Sequence, residues 1–240
     1  GAFVAWTVGG GTSSILGILA GFAAAALLGF VFEFVLVRPF RNSKSLVLTV
    51  VITTLAALIV LENGALIAWG GRIKQMTPII PGNIELFSVA VSSHETLIMV
   101  IAPVVLVVLA LLLKQTRVGR AIRAVGQNRE AATLVGMNVK QLYALTFALS
   151  AALAALAGIL LGSIRFITPE MGSEPLLKAM IVVIFGGLGS LVGTIVSAYV
   201  IGMLEAVFIY FVGLYWTPTL LFALMIVVLL IRPTGLFRER

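Results

Sequence analysis

Residues 117–138 read RVGRAIRAVGQNREAATLVGMN and form a polar interruption between two long apolar runs, residues 96–113 and 141–162. Each run approaches the ~20 residues that an α-helix needs to cross the hydrocarbon core of a bilayer, so the interruption lies at a membrane surface. The segment is basic, and it contains Arg117, Arg120, Arg123 and Arg129. Because Lys and Arg are concentrated in cytoplasmic loops, we expect it on the cytoplasmic side.

The interruption also carries the signals of a short helix of its own. Asn128 is suited to the N-cap, and Glu130 falls in the first turn, where the helix dipole stabilises an anion. Ala131 and Ala132 continue the helix, and their small side chains would let a partner approach closely. Gly136 supplies a left-handed residue of the kind that ends many helices. We therefore expect a short helix across the membrane surface, shaped to dock a soluble partner.

The composition of the whole chain is typical of a membrane protein. Of its 240 residues, 61% are hydrophobic and 10% are charged, whereas ~25% are charged in soluble domains. Strands of an outer-membrane barrel alternate apolar and polar residues, and the runs here do not. The composition predicts a polytopic α-helical membrane protein. The net charge of +7 then reports the cytoplasmic loops, and we expect no nucleic-acid partner.

The chain offers little for metal or redox chemistry, and no cofactor is predicted. It has no cysteine and a single histidine, His94, which excludes a Cys-based metal site. His94 falls in residues 71–95, a segment expected as an outer loop, so we expect its side chain to be solvated.

Further apolar runs predict spans at residues 14–37, 46–69 and 218–231. Lys and Arg are concentrated in residues 38–44 and at the C-terminus, besides the polar interruption. This asymmetry predicts that the interruption and the C-terminus are cytoplasmic.

A glycine-rich stretch divides the apolar residues 176–213 at Gly186, Gly187, Gly189 and Gly193. Either two spans meet at the glycines or one part is re-entrant. We favour a broken helix, which is tolerated at membrane depth where it is buried in protein or lines a cavity. Gly187, Gly189 and Gly193 serve either close helix packing or a hinge in a transport path. Their spacing lacks a βαβ context and does not predict a nucleotide site.

Ionisable residues inside spans are costly and usually face a bundle interior or a water-filled cavity. Glu62 and Glu205 lie within apolar runs, and Asn63 adjoins the first. They line a substrate path, or they make structural hydrogen bonds between helices or lie in water near a span end. Glu33 is expected near the cytoplasmic end of its span, paired with Arg38.

Arg165, Glu170 and Glu174 form a polar corner on the predicted outer side. The corner is either a solvated turn or a contact with an external substrate-delivery protein.

The motif Glu130-Ala131-Ala132-x-x-x-Gly136 resembles the cytoplasmic coupling loop of ABC importer permeases. The chain as a whole resembles the LivH-type subunit of the branched-chain amino acid permease family. The resemblance rests on GRAIRA and REAATLVGMNV around the coupling loop, ALTFALSAALAALAGILLG in the next span, ITPEMG at 167–172, FGGLGSLVGTIVSAYVIGMLEA at 185–206 and VRPFRNSKSLVLTVVITTLAALI at 37–59. The loop departs from that of maltose-type permeases, because residues 136–142 lack the Ile-x-Leu-Pro ending.

The resemblance implies a single all-α transmembrane permease domain over residues 1–240, with further N-terminal segments before Gly1. It implies a polytopic helical bundle with a short cytoplasmic coupling helix and a glycine-broken helix, in a prokaryotic cell membrane. The implied partners are ABC ATPase subunits, a second permease subunit of the LivM type, an extracytoplasmic substrate-binding protein and membrane lipid. ATP hydrolysis would take place on the ATPase. The implied ATPase-coupling residues are Arg120, Arg123, Arg129, Glu130, Ala131, Ala132 and Gly136.

Two other functions remain open from the sequence. Broken helices and acids within spans also suit an ion-coupled secondary transporter or channel, which has no use for a capped surface helix. A membrane-embedded enzyme is poorly supported, since neither a metal cluster nor a nucleophile motif is present.

Overall fold

The computed structural model describes residues 1–11, 14–39, 46–78, 82–86, 89–187 and 189–232. The chain folds into two compact units, Gly1–Glu170 and Met171–Arg240.

Within these ranges, five helical segments are long and apolar enough to cross a membrane. They are α2 (Ile15–Phe32) with the π-helical turn Glu33–Val37 that continues it, α3 (Leu46–Trp69), α4 (Ser93–Gln115), α7 (Val139–Ile164) and α9 (Leu191–Val212). Shorter helices are α1 (Ala2–Val8), α5 (Arg117–Gln127), α6 (Arg129–Leu134), α8 (Ser173–Gly186) and α10 (Thr217–Ile231). The predicted polytopic helical architecture is confirmed.

The segment between α3 and α4 is more ordered than the plain loop predicted for it. Strands β1 (Asn83–Leu86) and β2 (Val89–Ser92) pair antiparallel, with Asn83 opposite Ser92 and Leu86 opposite Val89. Apolar and polar residues alternate in the sequence of β1, a pattern typical of a β-strand.

In the first unit, small residues form the buried face of α2. On α2 the buried positions are Gly17, Gly21, Ala25 and Gly29, each four residues after the last. Residues at this spacing lie on one face of a helix. The large side chains of α2, including Leu16, Leu19, Leu27 and Phe30, are exposed instead.

The glycine face of α2 packs closely on α7. A methyl group on Gly29 would lie 2.6 Å from both the Ala151 Cβ and the Phe147 carbonyl oxygen. One on Gly21 would lie 3.0 Å from the Ile159 Cδ1 and from the Ala5 Cβ of α1. The backbones therefore approach as in other small-residue contacts between membrane helices.

A strap of residues 70–78 crosses the end of this bundle. The amide of Thr77 donates to the Gly11 carbonyl at 3.0 Å, and Ile167 donates to the Lys74 carbonyl at 2.7 Å. The Lys74 Nζ lies 4.1 Å from the ring centroid of Trp6, a cation–π contact. Met76, within the strap, and Ile167, which is hydrogen-bonded to it, are completely buried.

In the second unit, the glycine-rich stretch reverses the chain. Gly187 and Gly189 have φ of +93° and +97°, which favours glycine. A methyl group on Gly186 would lie 2.7 Å from the Gly193 carbonyl carbon. The backbones of α8 and α9 are therefore almost in contact where the chain reverses. Together with α10 they enclose an apolar core of Ile181, Phe185, Ile201 and Leu221. The predicted helix break is thus a turn between two antiparallel helices.

The packing of α2 on α7 generates a stability prediction. Gly29→Ala forces two backbones apart, and overpacking of this kind costs about 1–3 kcal/mol. We expect a lower midpoint of thermal unfolding for the detergent-purified protein, measured by size-exclusion chromatography after heating. Gly158→Ala is the matched control, because a methyl group there meets nothing within 4 Å and alanine favours the helix. Equal midpoints for the two variants would contradict the close packing.

Candidate functional site

The polar interruption folds into two helices instead of the single one predicted. The first, α5, begins at Thr116, whose Oγ1 accepts a hydrogen bond from the Gly119 amide at 3.0 Å. Gly119 lies against the backbone of Leu112, leaving no room for a side chain at the turn from α4. Along α5, Val125 is buried whereas Arg120 and Arg123 are exposed. The helix is amphipathic, with its basic face in solvent.

The second helix, α6, has both of the predicted ends. The Asn128 Oδ1 accepts from the Ala131 amide at 3.0 Å. Gly136 has φ of +81°; its amide donates to the Thr133 carbonyl, and that of Met137 donates to the Ala132 carbonyl. This pair of bonds is a Schellman motif. The predicted N-cap and left-handed glycine are confirmed.

The two alanines of the motif lie in different surroundings. Ala131 is exposed, but Ala132 is buried with Val125 of α5 and Val139 of α7. Ala132 thus fastens α6 to its neighbours and is not part of the solvent-facing surface. Arg129 and Glu130 are exposed.

Sequence reasoning missed the most exposed apolar residues of this segment. Leu134 is 88% exposed and Val135 is 73% exposed, both at the end of α6. The signal was available, because a short surface helix has no reason of its own to end on two adjacent large apolar residues. We call the exposed residues Arg129, Glu130, Ala131, Leu134 and Val135 the α6 surface.

Glu205 has a partner that the sequence did not indicate. Its Oε1 lies 2.5 Å from the Nζ of Lys178 on α8, and the same Nζ lies 2.7 Å from Glu174. The side chains of Lys178 and Glu205 are 26% and 22% exposed. The contact is an ion pair between α8 and α9, which matches the structural bond between helices that was one of the roles considered for Glu205.

Glu62 is half-buried on α3, and it forms no hydrogen bond or ion pair within the described ranges. Seven residues later on the same helix face, the Trp69 ring packs at 5.3 Å from the Phe3 ring of α1. Glu62 therefore lies on the side of α3 that faces α1. Asn63 is exposed, and its Nδ2 donates to the Ile59 carbonyl at 2.8 Å.

Of the three glycines predicted as packing or hinge residues, Gly187 and Gly193 are buried and Gly189 is exposed. The Gly193 amide donates to the Ser190 Oγ at 3.0 Å and so starts α9. The positive φ angles of Gly187 and Gly189 and the hydrogen bond of Gly193 give all three glycines a structural use in the reversal. A part in a transport path remains a prediction.

Two titratable residues lie deeper than expected. Glu33 is 2% exposed at the start of the π-helical turn, while the Arg38 guanidinium lies over the Phe34 ring at 4.8 Å. His94 was expected in a solvated loop, and this is wrong. It is 1% exposed in the first turn of α4, and neither ring nitrogen has a hydrogen-bond partner within the described ranges.

The predicted outer corner is divided between the two units. Arg165 and Glu170 are exposed in the first unit. Glu174 belongs to the second, where it bonds Lys178. The corner's contact with a delivery protein remains a prediction.

Apolar spans that carry acidic residues, together with a capped helix between two of them, are typical of a polytopic membrane transport protein. The chain belongs to the family described as the branched-chain amino acid transport system permease component, which matches residues 1–229.

Curated relatives agree with this assignment. The chain is 32% identical to the high-affinity branched-chain amino acid transport system permease protein LivH of Salmonella typhimurium, over 93% of this chain and 75% of that protein. It is 33% identical to the permease protein BraD of Pseudomonas aeruginosa, over 91% of this chain and 74% of that protein. A more distant relative is the autoinducer 2 import system permease protein LsrC of Yersinia pestis. It is 27% identical over 85% of this chain and 58% of that protein. No solved structure matches the chain.

The ion pair between α8 and α9 generates a second prediction. Removing one partner of a largely buried pair leaves an uncompensated charge, at a cost of about 3–5 kcal/mol. We expect Lys178→Met, which leaves Glu205 without its partner, to lower the yield and thermal stability of the purified protein. Glu205→Leu should have a smaller effect, because Lys178 keeps its contact with Glu174, and Glu174→Gln should also have a smaller effect because Glu174 is about half exposed.

The charge-exchanged double variant, Lys178→Glu with Glu205→Lys, should recover part of this loss, since it restores the attraction. If the double variant is as unstable as the sum of its single variants, the pair does not stabilise the fold.

Proposed function

We propose that the chain is the permease subunit of an ATP-driven ABC importer and forms part of the path for branched-chain or related amino acids. The α6 surface carries this proposal, supported by the family and by the names of the relatives. A separate ATPase subunit would bind there and hydrolyse ATP. The segment would lie on the cytoplasmic side, as its arginines predict.

The chemistry of the α6 surface suits a protein partner. Leu134 and Val135 are apolar anchors of the size that fills a pocket, and burying them excludes water from the contact. Arg129 and Glu130 flank them with both signs of charge, which orient a partner more than they add affinity. Together the anchors and charges form a small docking site.

The packing around α6 provides a route for mechanical force. Ala132 joins α6 to Val125 of α5 and to Val139 in the first turn of α7. Helix α7 in turn packs along the glycine face of α2 through Ala151 and Ile159. A displacement of α6 would therefore move α7 and α2 together, and this motion would open and close the path.

The substrate path would include the Glu62 face of α3. An ionisable group is retained in a span where it meets protein or water, and the described residues give Glu62 no ionic partner. Asn63 is a further polar group proposed for this path, and Glu205, which pairs with Lys178 in the second unit, is the weaker of the two predicted path acids. A second permease subunit, of the LivM type, would supply the other half, and an extracytoplasmic binding protein would deliver the substrate.

Docking on α6 is tested by pull-down of the permease co-expressed with the ATPase subunits of its importer, scored as bound ATPase activity. Losing one buried apolar anchor costs about 1.5–3 kcal/mol, so Leu134→Ser should reduce the recovered activity about tenfold or more. Glu130→Lys should reduce it as well, through repulsion at the rim.

The matched controls are Ile73→Ser and Glu170→Lys, which change similarly exposed residues of the predicted outer side. Both should retain wild-type recovery. Transport by vesicles free of any ATPase would overturn the proposal in favour of an ion-coupled transporter.

The role of Glu62 has its own test, uptake of radiolabelled leucine into vesicles containing the complete importer. Glu62→Gln removes a charge but keeps the shape, so we expect slower uptake with ATPase binding unchanged. Thr54→Val on the same helix is the control, because the Thr54 hydroxyl is exposed and bonded to the helix backbone at Val50. Equal uptake by the two variants would remove Glu62 from the path.

A further inference from the structure

The end of the hairpin formed by α9 and α10 is apolar and aromatic to an unusual degree. Residues 206–231 contain no Asp, Glu, Lys, Arg or His, and this stretch includes the whole connection between the two helices. A connection that projects into water has no reason to lack charge altogether. Its polar groups are chiefly phenol hydroxyls, an indole and the threonines that open α10.

The large side chains at this end are among the most exposed of the chain. Tyr210 is 83% exposed and Tyr215 is 86% exposed. Phe211, Leu214 and Trp216 are also more than half exposed. The tyrosines and the tryptophan have an apolar body and one polar end, a chemistry suited to a boundary between oil and water.

The directions of these side chains indicate whether lipid surrounds this end of the hairpin or a protein covers one side of it. Tyr210 and Phe211 are consecutive on a helix of 3.6 residues per turn, so they leave the axis about 100° apart. Their rings meet edge to face at 5.1 Å, as those of Tyr215 and Trp216 do at 5.7 Å. A single flat protein surface would cover only part of this set, whereas a lipid layer surrounds it.

The lengths of the helices place the aromatic end near a membrane interface. Helix α9 has 22 residues, about 33 Å, and crosses the ~30 Å hydrocarbon core. Helix α10 has 15 residues, about 22 Å, and Arg232 follows it. Because Arg232 favours one membrane surface and α10 is shorter than the hydrocarbon core, the other end of α10 lies within the opposite membrane interface and does not extend into water.

We propose that residues 210–216 anchor the second unit in the glycerol and headgroup layer of the phospholipid bilayer. The indole and phenol groups would donate hydrogen bonds to ester and phosphate oxygens while their rings lie among the upper acyl chains. The charge distribution predicts that this is the non-cytoplasmic leaflet.

The anchor sets the depth of the ion pair described above. Glu205 precedes Tyr210 by five helical residues, so its backbone lies about 7–8 Å along the axis from the aromatic layer. The pair of Lys178 and Glu205 is then held near the interface, where a charged pair is far less costly than at the bilayer centre.

The depth of Trp216 tests the proposal directly. The full chain with Trp6→Phe and Trp69→Phe keeps Trp216 as its one tryptophan. It is reconstituted into phosphatidylcholine vesicles whose acyl chains are brominated near the headgroup or near the chain ends. We expect the shallow bromines to quench Trp216 fluorescence about twofold more than the deep ones, as for residues of an aromatic belt.

A variant that keeps only Trp6, by Trp69→Phe and Trp216→Phe, is the control. The Trp6 ring is half-buried and covered by Lys74, so both lipids should quench it weakly. Where the double substitutions disturb folding, Trp216→Phe alone should remove the shallow-quenched part of the wild-type emission.

Two results would overturn the proposal. If acrylamide in the aqueous phase quenches Trp216 and neither brominated lipid does, Trp216 lies in water. Trp216 that neither lipid nor acrylamide quenches would be covered by protein, in place of lipid.

Discussion

The contact between the glycine face of α2 and α7 is the constraint on which the first unit depends. Lipid tails are as apolar as leucine, so no hydrophobic force brings two membrane helices together. What remains is dispersion between surfaces that fit closely, and Gly21 and Gly29 allow the backbones themselves to touch neighbouring atoms. The large residues of α2 then face outward, where lipid solvates them. This arrangement is the reverse of a soluble protein, in which large apolar side chains are buried. Tight backbone contact also makes the two helices one mechanical body.

That body begins directly after α6 of the polar interruption. An isolated six-residue helix is too short to persist in water, yet α6 has fixed ends because Asn128 caps its start and Gly136 closes its last turn. The N-cap bond of Asn138 to the Gln141 amide then starts α7 within a few residues. Because each helix end is satisfied locally, α6 has little freedom to fray. A partner that moves α6 therefore acts on α7, not on a loose loop.

Local chemistry explains which features the sequence could predict. The ends of α6 depend on Asn128 and Gly136, whose side chain or lack of one decides the geometry within four residues. The spans follow from runs of apolar residues in the same way. By contrast, the partner of Glu205 lies 27 residues away, and only the chain reversal at Gly187 and Gly189 brings Lys178 beside it. The burial of His94 in the first turn of α4 is likewise not indicated by the polar residues around it in the sequence. Helix α5 was missed for a different reason, because its three arginines were attributed to the charge of a loop and not to one face of a helix.

The two units handle polar groups in a membrane by different means, and each means has a functional consequence. In the second unit, Lys178 pairs with Glu205, so the charge of each is largely cancelled inside the helical hairpin. A satisfied pair has little left to offer a substrate, and breaking it would leave two costly charges. In the first unit, Glu62 has no such partner among the described residues and lies on the face of α3 that Trp69 turns toward α1. A group that is costly to keep in a span and is not used to hold the fold together is available for other contacts. On this reasoning we propose Glu62, more than Glu205, as the acid that contacts a solute crossing the membrane.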